Sequence, residues 1–280
     1  MSEYALKLSD VELSRYEWMA ARALEYERDS WTAAGVIEGA VVADIGCGPG
    51  AVSIALARQV GPTGRVLAFD RTPEVVDTAR AVTERAGVAN VAVEMADADA
   101  TGVEPGTVDV AMIRHVLAHN GGREEAIVAH AATLVRPGGC VYLIDVDGSG
   151  VRSRPSDPDL DDMNDRYWQW HAQQGNDASV GLRLPELLDG AGLDAFEFNG
   201  RYDIHPAPTR RPYAGLGGPR CTRRLRTGHG GGRRSLGGGI RPGRRHAAAA
   251  DRLRPDVLRC RPPARLSYWA AMVRNGILGP

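Results

Sequence analysis

The chain has 280 residues, of which 43% are hydrophobic and 25% charged, and its formal net charge is −1. This length can bury a sizeable core in one large domain or two small ones. No stretch approaches the roughly 20 apolar residues of a membrane span, and the N-terminal residues lack the apolar run of a secretory signal, so we expect neither a membrane protein nor a secreted one.

The charge is divided unevenly along the chain. Residues 201–280 hold 18 arginines against three acidic residues, a net charge of +15. The first 200 residues carry 16 basic and 32 acidic residues, a net charge of −16. Lys7 is the only lysine. Because arginine codons are GC-rich and lysine codons AT-rich, this usage indicates a GC-rich genome.

The cysteines do not form a recognisable framework. Their spacing fits neither a set of disulfides nor a zinc site, which indicates a reducing, cytoplasmic location. The four residues are Cys47, Cys140, Cys221 and Cys260. No other His/Cys cluster has metal-ligand spacing, and acidic residues 161, 162 and 165 fit a solvated helix face, so no metal is expected.

The first half of the chain alternates predicted helices and strands. Residues 9–34 form the first helix, with Ser9 or Asp10 as its N-cap. Short apolar runs predict strands at 41–45, 64–70, 91–95, 108–113 and 140–146, and amphipathic stretches predict helices at 51–60, 73–86 and 122–135. This alternation is typical of a parallel sheet covered by helices on both faces.

The second half of the chain is less regular. A polar connector at 150–160 leads to predicted helices at 159–174 and 182–191 and to a strand at 193–200. From residue 208 onward the sequence is rich in Arg, Gly and Pro and has no helical or strand period. Such a composition buries too little apolar surface to offset chain entropy.

The first predicted strand ends in a glycine-rich turn, DIGCGPG at 44–50. Glycines let the backbone approach a ligand closely, and in open parallel sheets ligands bind beyond the carboxyl ends of the strands. The second strand ends in Asp70, where an acid accepts hydrogen bonds from a ribose diol, and the third is followed by Asp97 and Ala98. The Gly-x-Gly-x-Gly spacing differs from the Gly-x-Gly-x-x-Gly of dinucleotide folds, which counts against a dehydrogenase.

Two further segments are VDVAMIRHVLAH at 108–119 and LVRPGGCVYLID at 134–145. In these segments, and in the glycine-rich turn and the acids just described, the chain resembles the class I S-adenosylmethionine (SAM)-dependent methyltransferases. The likeness covers about residues 4–205 and extends to the small-molecule, ubiquinone/menaquinone-type branch. It implies SAM as cofactor and an α/β, Rossmann-like, doubly wound and mostly parallel sheet.

The resemblance also implies which residues hold SAM. Asp70 would bind the ribose hydroxyls, Asp97 the adenine amine with Ala98 offering its backbone, and the Arg114 carbonyl the methionine ammonium. The residues expected at the amino-acid and ribose portions of SAM are Asp44, Gly46, Gly48 and Gly50. We count two more residues with the cofactor-binding set: Cys47, a small filler in the turn, and Arg71.

Candidate catalytic residues follow the fourth strand. His115 and His119 are four residues apart and are expected on one helical face, and we favour His119 as the base that deprotonates or orients the acceptor. The alternative is that one histidine packs on the sheet while the other bonds SAM or backbone. In the resembling family a helix after the fifth strand roofs the acceptor pocket. Its aromatic residues either line that pocket or pack the helix on the sheet; they are Tyr167, Trp168, Trp170 and His171.

A lid over SAM is a further possibility for the N-terminal segment. Tyr4, Glu12 and Arg15 are its candidate residues, but we favour a solvated helix face for them.

The C-terminal segment sets the domain limits. We assign residues 1–207 to the methyltransferase domain and 208–280 to an irregular Arg/Gly/Pro-rich tail. The family's sheet has seven strands, and because we find no convincing seventh strand after 193–200, we expect the last strand to be missing and the fifth strand to keep an unpaired edge.

Three explanations of the tail are open: an out-of-frame translation, which we favour, an inert linker, or a nucleic-acid-binding arm. Codons exist for residues 227–245 that, read one nucleotide later, encode LATAEDVARWEAAFDPDDA, an acidic amphipathic peptide. The frame change is therefore permitted by the genetic code.

These features predict SAM-dependent methyl transfer to O, C or N of a small cyclic metabolite, as in secondary metabolism. The alternative is a SAM-binding protein without turnover, its C-terminal region being scrambled. A nucleic-acid methyltransferase is disfavoured because a charge of −16 repels phosphate and because residues 115–120 lack an Asn/Asp-Pro-Pro-Tyr motif. We therefore expect a small-molecule acceptor and neither a nucleic-acid nor a membrane partner.

Overall fold

The computed structural model describes residues 9–152, 158–193, 195–205 and 264–274. The helices are α1 (Asp10–Ala34), α2 (Ala51–Val60), α3 (Pro73–Arg85), α4 (Glu124–Leu134), α5 (Pro158–Gln173) and α6 (Leu184–Gly190). The strands are β1 (Val41–Ile45), β2 (Arg65–Asp70), β3 (Val91–Met95), β4 (Val108–Arg114), β5 (Val135–Arg152), β6 (Ala195–His205) and β7 (Ala264–Arg274). Short 3₁₀ turns lie at Leu117–His119 and Val180–Arg183.

The strands form one seven-stranded sheet in the order β3-β2-β1-β4-β5-β7-β6. The first five strands in this order are parallel, which confirms the predicted α/β, Rossmann-like architecture. The chain moves outward from β1 to β3 and then returns to place β4 on the other side of β1. This reversal makes the carboxyl ends of β1, β2 and β4 neighbours around a crevice, where ligands of such sheets bind.

The expectation that the last strand is missing is wrong. β7 lies between β5 and β6 and pairs antiparallel with both, so β5 has no unpaired edge there. The sequence ARLSYWAAMVR was overlooked because it follows more than 50 residues without periodicity, and a strand with neighbours on both sides shows an apolar run rather than alternation.

This strand also changes the predicted domain limits. Residues 264–274 belong to the sheet of the first domain, although the prediction ended that domain at residue 207. Residues 206–263, which make up most of the predicted tail, lie outside the described residues, as do residues 153–157 of the predicted connector. The assignment of residues 208–263 therefore stays a prediction.

The central strands are buried on both faces, with successive side chains pointing to opposite layers. Ala43, Ile113 and Leu143 pack in the layer that also holds α4 and α6. Val42, Met112 and Tyr142 pack in the opposite layer with α1 and α2. The two apolar layers hold the strand ends rigidly, which is what positions the residues that follow them.

Helix α1 begins and ends with recognisable caps. Ser9 Oγ accepts a hydrogen bond from the Glu12 N–H at 3.3 Å, as one of the two predicted caps, and Gly35 ends the helix with φ of 104°. Across the described ranges, we find no helix with the length and apolar character needed to cross a bilayer.

Candidate active site

The glycine-rich turn leaves β1 at the centre of the crevice. Gly46 and Gly48 have φ of 78° and 54°, which disfavours any residue with a β-carbon. A β-carbon at Gly46 would lie 2.3 Å from Val116 Cγ2, and one at Gly48 would lie 3.4 Å from Tyr16 Cε1. The turn is therefore bare backbone held between the residues after β4 and helix α1.

Asp70 closes the turn from the end of β2. One carboxylate oxygen accepts the Gly48 N–H at 3.2 Å, and the other accepts the Thr72 N–H at 3.0 Å. The N–H groups of Gly46 and Cys47 both donate to the Phe69 carbonyl at 2.8 Å. The structure therefore places the predicted turn and the predicted ribose acid in direct contact.

Cys47 is the filler that the sequence predicts. Its thiol is buried and lies 3.4 Å from the Gly48 carbonyl. Burial, with further contributions from Asp44 and Asp70, raises the pKa of this thiol well above its usual range. A neutral, buried thiol is a poor nucleophile, which favours the predicted packing role of Cys47 over a chemical one.

The acids after β3 lie next to Asp70, since the Ala96 N–H donates to the Asp70 carbonyl at 3.0 Å. The Asp97 side chain is 53% exposed and lies 3.3 Å from Arg123, whose stronger partner is Asp99 at 2.6 Å. Ala98 is partly buried against the core. We did not predict Arg123 or Asp99, because only the fold brings the start of α4 to the end of β3.

Arg71 reaches across the crevice from the end of β2. Its guanidinium donates to the Asn120 side-chain oxygen at 3.4 Å. Asn120 directly follows the 3₁₀ turn after β4. This contact joins the predicted adenosine side of the crevice to the segment that carries the candidate catalytic histidines.

Two predicted cofactor residues turn their side chains away from the crevice. Asp44 is buried and accepts a hydrogen bond from Ser53 Oγ at 2.6 Å. Burial raises its pKa, while Ser53 and Arg114 act in the opposite direction. The Arg114 side chain points to helix α1, which leaves its backbone as the part predicted to meet the cofactor.

Glu27 is the partner of Arg114 and was missed at the sequence level. It is 2% exposed and accepts two hydrogen bonds from Arg114, at 3.0 and 2.8 Å. Trp31, Tyr142 and Arg201 also donate to it, at 3.3, 3.2 and 3.4 Å. Burial disfavours the Arg114 charge, but the nearby Glu27 carboxylate holds its pKa above the usual value. Glu27 thus ties α1 to the end of β4.

The predicted helical arrangement of His115 and His119 is wrong. β4 ends at Arg114, His115 has φ of 55°, and His119 ends a 3₁₀ turn, so the two do not share an α-helical face. A histidine tolerates this left-handed region better than most residues, at some cost in free energy. The His115 N–H donates to the Ile144 carbonyl at 2.9 Å, which joins this bend to β5.

Both histidines are neutral near pH 7. Burial, then the His171 imidazole and the Arg15 guanidinium, lower the pKa of His119 from 6.5 to about 4. Burial and the neighbouring Arg114 lower the pKa of His115 well below its usual value. A neutral imidazole keeps one ring nitrogen with a lone pair that accepts a proton or a hydrogen bond.

Asp145 stabilises the 3₁₀ turn after β4 through a backbone hydrogen bond, a role that we did not predict. It is fully buried at the level of the strand ends and accepts the Ala118 N–H at 3.2 Å and the Val146 N–H at 2.8 Å. Burial raises its pKa from 3.8 to about 6, although these backbone hydrogen bonds oppose the rise. Asp145 therefore holds the segment that presents His119.

The aromatic residues of α5 meet His119 through His171. The His171 ring is buried, and its centroid lies 5.0 Å from that of His119 and 4.5 Å from that of Tyr167. Trp170 is 41% exposed. Trp168 instead packs closely on Gly148, where a β-carbon added to the glycine would lie 2.5 Å from the indole ring. The assignment of all four residues to an acceptor pocket stays a prediction.

Helix α1 covers this region from the other side. Glu12 and Arg15 form a buried ion pair at 2.9 Å, so the favoured prediction of a solvated face is wrong for these two residues. Tyr4 lies outside the described residues. Among the residues that the structure describes, no cluster of three or more His, Cys, Asp or Glu residues could hold a metal ion.

Comparisons with known proteins agree with this fold. Residues 38–180 match a family described as "Methyltransferase domain". The chain is 24% identical to a demethylmenaquinone methyltransferase from Lactococcus lactis over 208 residues, covering 66% of this chain and 80% of that protein. A SAM-dependent methyltransferase structure from Aquifex aeolicus matches with a TM-score of 0.50 and 20% identity, covering 68% and 92% of the two chains, and shows the same fold.

Two further relatives match over less of their length. An arsenite methyltransferase from Halobacterium salinarum is 28% identical over 164 residues, covering 59% of this chain and 40% of that protein. An uncharacterised transposon protein from Streptomyces fradiae is 38% identical over 100 residues, covering 36% and 28%. The chain thus spans less than half the length of these two relatives.

Proposed function

This chain belongs to the methyltransferase domain family, whose match takes in half of its residues, and from that premise we propose that it methylates an oxygen, carbon or nitrogen atom of a small cyclic metabolite. Its methyl donor is S-adenosylmethionine. The observation that carries the proposal is the contact between Asp70 and the Gly48 N–H, which sets a carboxylate beside a glycine-rich turn.

The residues present fit this cofactor. The positive φ values at 46, 48 and 50 mark glycines without a β-carbon, so a ligand can approach the backbone of the turn closely at these positions. Asp70 offers two oxygens to a ribose diol, and the partly exposed Asp97 carboxylate would accept from an adenine amine. Residues that would hold the cofactor are therefore the turn at 46–50, Asp70, Asp97 and the Arg114 backbone.

The cofactor supplies a methyl group that its sulfonium already makes electrophilic, so the protein's tasks are to position the acceptor and to exclude water. Helix α1 contributes to both, because Tyr16 packs on Gly48 and the buried Glu12–Arg15 pair lies near His119. The neutral His119 imidazole accepts the proton that the acceptor loses. Asp145 holds the backbone of that turn in place.

The acceptor proposal is supported by the aromatic surroundings of His119. Tyr167, Trp168 and Trp170 pack around the His171 ring, and this aromatic setting suits a flat, partly apolar molecule. The likeness to a demethylmenaquinone methyltransferase points to the same class of acceptor. Arsenite is less suitable, since it prefers thiolates and the two cysteines among the described residues are buried.

The alternative of a SAM-binding protein without turnover depended on a sheet that lacks its last strand. β7 completes the sheet, which removes that reason. A cytoplasmic location and a place in secondary metabolism belong to the same proposal. They rest on a cysteine spacing that fits neither a disulfide framework nor a zinc site, and on the predicted cyclic acceptor.

Calorimetry with S-adenosylhomocysteine tests the cofactor site. We expect the full chain to bind it and Asp70→Asn to bind about 10- to 100-fold more weakly, because two hydrogen bonds to a charged group are lost. Asp77→Asn is the matched control, since Asp77 is exposed on α3 and its loss should leave binding unchanged. Equal affinity of the Asp70 variant and the wild type would contradict the assignment.

A further inference from the structure

His171 occupies the centre of the contacts between α5 and the 3₁₀ turn after β4. It is 7% exposed and packs against Tyr167, Trp168, Trp170 and His119. Its neighbour Asn176 lies in the loop that follows α5. The Asn176 N–H donates to the His171 carbonyl at 3.1 Å, and the Asn176 side-chain nitrogen lies 3.0 Å from His171 Nδ1.

A third residue determines the orientation of the Asn176 amide. The Gly121 N–H lies 3.0 Å from Asn176 Oδ1. A backbone N–H only donates, so the atom that faces it must be the amide oxygen, and the atom that faces His171 must be the NH₂ group. Because this NH₂ group also only donates, His171 Nδ1 must accept. The ring proton of His171 is therefore on Nε2.

The loops that carry these residues are locked together. A β-carbon at Gly121 would lie 1.7 Å from the Gly175 carbonyl oxygen, so no other residue fits at position 121 without moving the backbone. Gly121 follows the turn that ends in His119, and Asn176 follows the helix that carries His171. The two imidazoles are consequently held in a fixed relation, with ring centroids 5.0 Å apart.

We propose that His171 is a neutral Nε2–H hydrogen-bond donor that selects an acceptor hydroxyl group, whose proton passes to His119. This inference rests on the proposed function, since it assigns the chemistry of the acceptor in that same site. Burial lowers the pKa of His171, which agrees with a neutral ring. A protonated ring would also direct its Nδ1–H at the Asn176 NH₂ group, donor against donor.

Among oxygen, nitrogen and carbon atoms held between the two imidazoles, the oxygen of a hydroxyl group bonds both rings and can still attack the methyl carbon. Its oxygen donates one proton to His119, accepts the His171 Nε2–H with one lone pair and attacks the methyl carbon with the other. A neutral amine has a single lone pair, which cannot both accept from His171 and attack. A carbon nucleophile offers no lone pair to His171.

The step balances in atoms and charge. The acceptor oxygen forms a bond to the methyl carbon as the sulfur–methyl bond breaks with its electron pair left on sulfur, and the hydroxyl proton moves to His119. One positive charge disappears from sulfur and one appears on the His119 imidazole, so the buried site keeps its net charge.

Nitrogen-15 NMR of the histidine rings in the full chain tests the proposal, with His171→Gln used to assign the resonances. We expect His171 in the wild type to be the Nε2–H form and its Nε2 resonance to shift when 4-nitrophenol is added to protein saturated with S-adenosylhomocysteine. The matched compound 4-nitroaniline should bind at least about tenfold more weakly.

Asn176→Asp keeps an oxygen for the Gly121 N–H but places a carboxylate against His171 Nδ1, so the ring should carry a proton on Nδ1. We expect 4-nitrophenol binding to weaken about tenfold while S-adenosylhomocysteine binding is retained. Asn199→Asp is the control with the same charge change on an exposed residue of β6, and should behave as wild type. If Asn176→Asp does not fold, Asn176→Ala removes the donor to Nδ1 without adding a charge and should also weaken 4-nitrophenol binding.

Three results would overturn the inference: an Nδ1–H tautomer in the wild type, a His171 resonance unmoved by 4-nitrophenol, or equal binding of the phenol and the aniline. Failure of the wild type to bind S-adenosylhomocysteine would instead overturn the proposed function, while the tautomer measurement would still decide the state of His171.

Discussion

The buried ion pair between Glu27 and Arg114 gives the sharpest test of how α1 is attached to the site. The Glu27 side chain is 2% exposed and the Arg114 side chain 8%, and two hydrogen bonds of 3.0 and 2.8 Å join them. Glu27→Gln keeps the shape but leaves the guanidinium buried beside a neutral group. Breaking such a pair costs about 3–5 kcal/mol of unfolding free energy, because the remaining charge has no compensating partner.

Removing both charges separates the pair from its surroundings. Glu27→Gln/Arg114→Gln leaves no buried charge at either position, so we expect it to be more stable than the Glu27 variant alone. Urea unfolding of the wild type, both single variants and the double variant then gives a coupling energy of about 2 kcal/mol or more. The comparison uses differences between variants, which makes it insensitive to the reference state of the unfolded chain.

An exposed pair serves as the control for this cycle. Arg80 and Asp77 on α3 lie 3.4 Å apart with 54% and 77% of their side chains exposed, so Asp77→Asn should cost no more than about 0.5 kcal/mol. If the effects of the two single variants at Glu27 and Arg114 simply add, with coupling under about 0.5 kcal/mol, the reasoning that α1 is anchored by this charge pair fails.

Two further predictions concern Asp145 and the reading frame. The pKa of Asp145 is raised from 3.8 to about 6, so its contribution to stability is greatest below the lower value and is lost as pH rises through the higher one. The Asp145→Asn variant has no carboxyl group to titrate at this position. In urea unfolding, its unfolding free energy relative to the wild type should therefore rise by about 1.4 kcal/mol between about pH 5 and pH 8. A difference between the two proteins that does not change with pH would contradict the burial of an ionising carboxylate. The residues of β7 form a strand of the sheet although they follow an aperiodic segment. Nucleotide sequencing should therefore show one frame change after about codon 208 and a compensating one before codon 264. An uninterrupted reading frame that related genes share would refute this prediction.

The parallel sheet and the glycine-rich turn were accessible from sequence because their signals are local. A short apolar run, a glycine turn and an acid at the end of the next strand lie within residues 41–70, and parallel strands bring their carboxyl ends to one edge of the sheet. The contact between Asp70 and Gly48 follows from that topology. The fold family therefore required no information about side-chain packing.

The residues missed at the sequence level are those whose partners are distant in the chain. Glu27 resembles any other acid on a charged helix until the structure places it against Arg114. Asp145 appears in the sequence as a polar residue near the end of the apolar run at 140–146, and its role depends on the backbone amide of Ala118. Asn176 belongs to no motif. It acquires a function only because the fold places Gly121 against its amide oxygen and His171 against its amide nitrogen.

The sequence by itself thus determined the alternation of strands and helices, the parallel sheet and the glycine-rich turn after its first strand, since each depends on periodicity or spacing within a few residues. The tertiary structure alone decided that β7 enters the sheet, that His115 and His119 lie on a bend rather than a helix, and how His171 is protonated. Those features depend on pairings across 50 or more residues or on one buried donor meeting one acceptor, and local patterns of hydrophobicity carry no record of either.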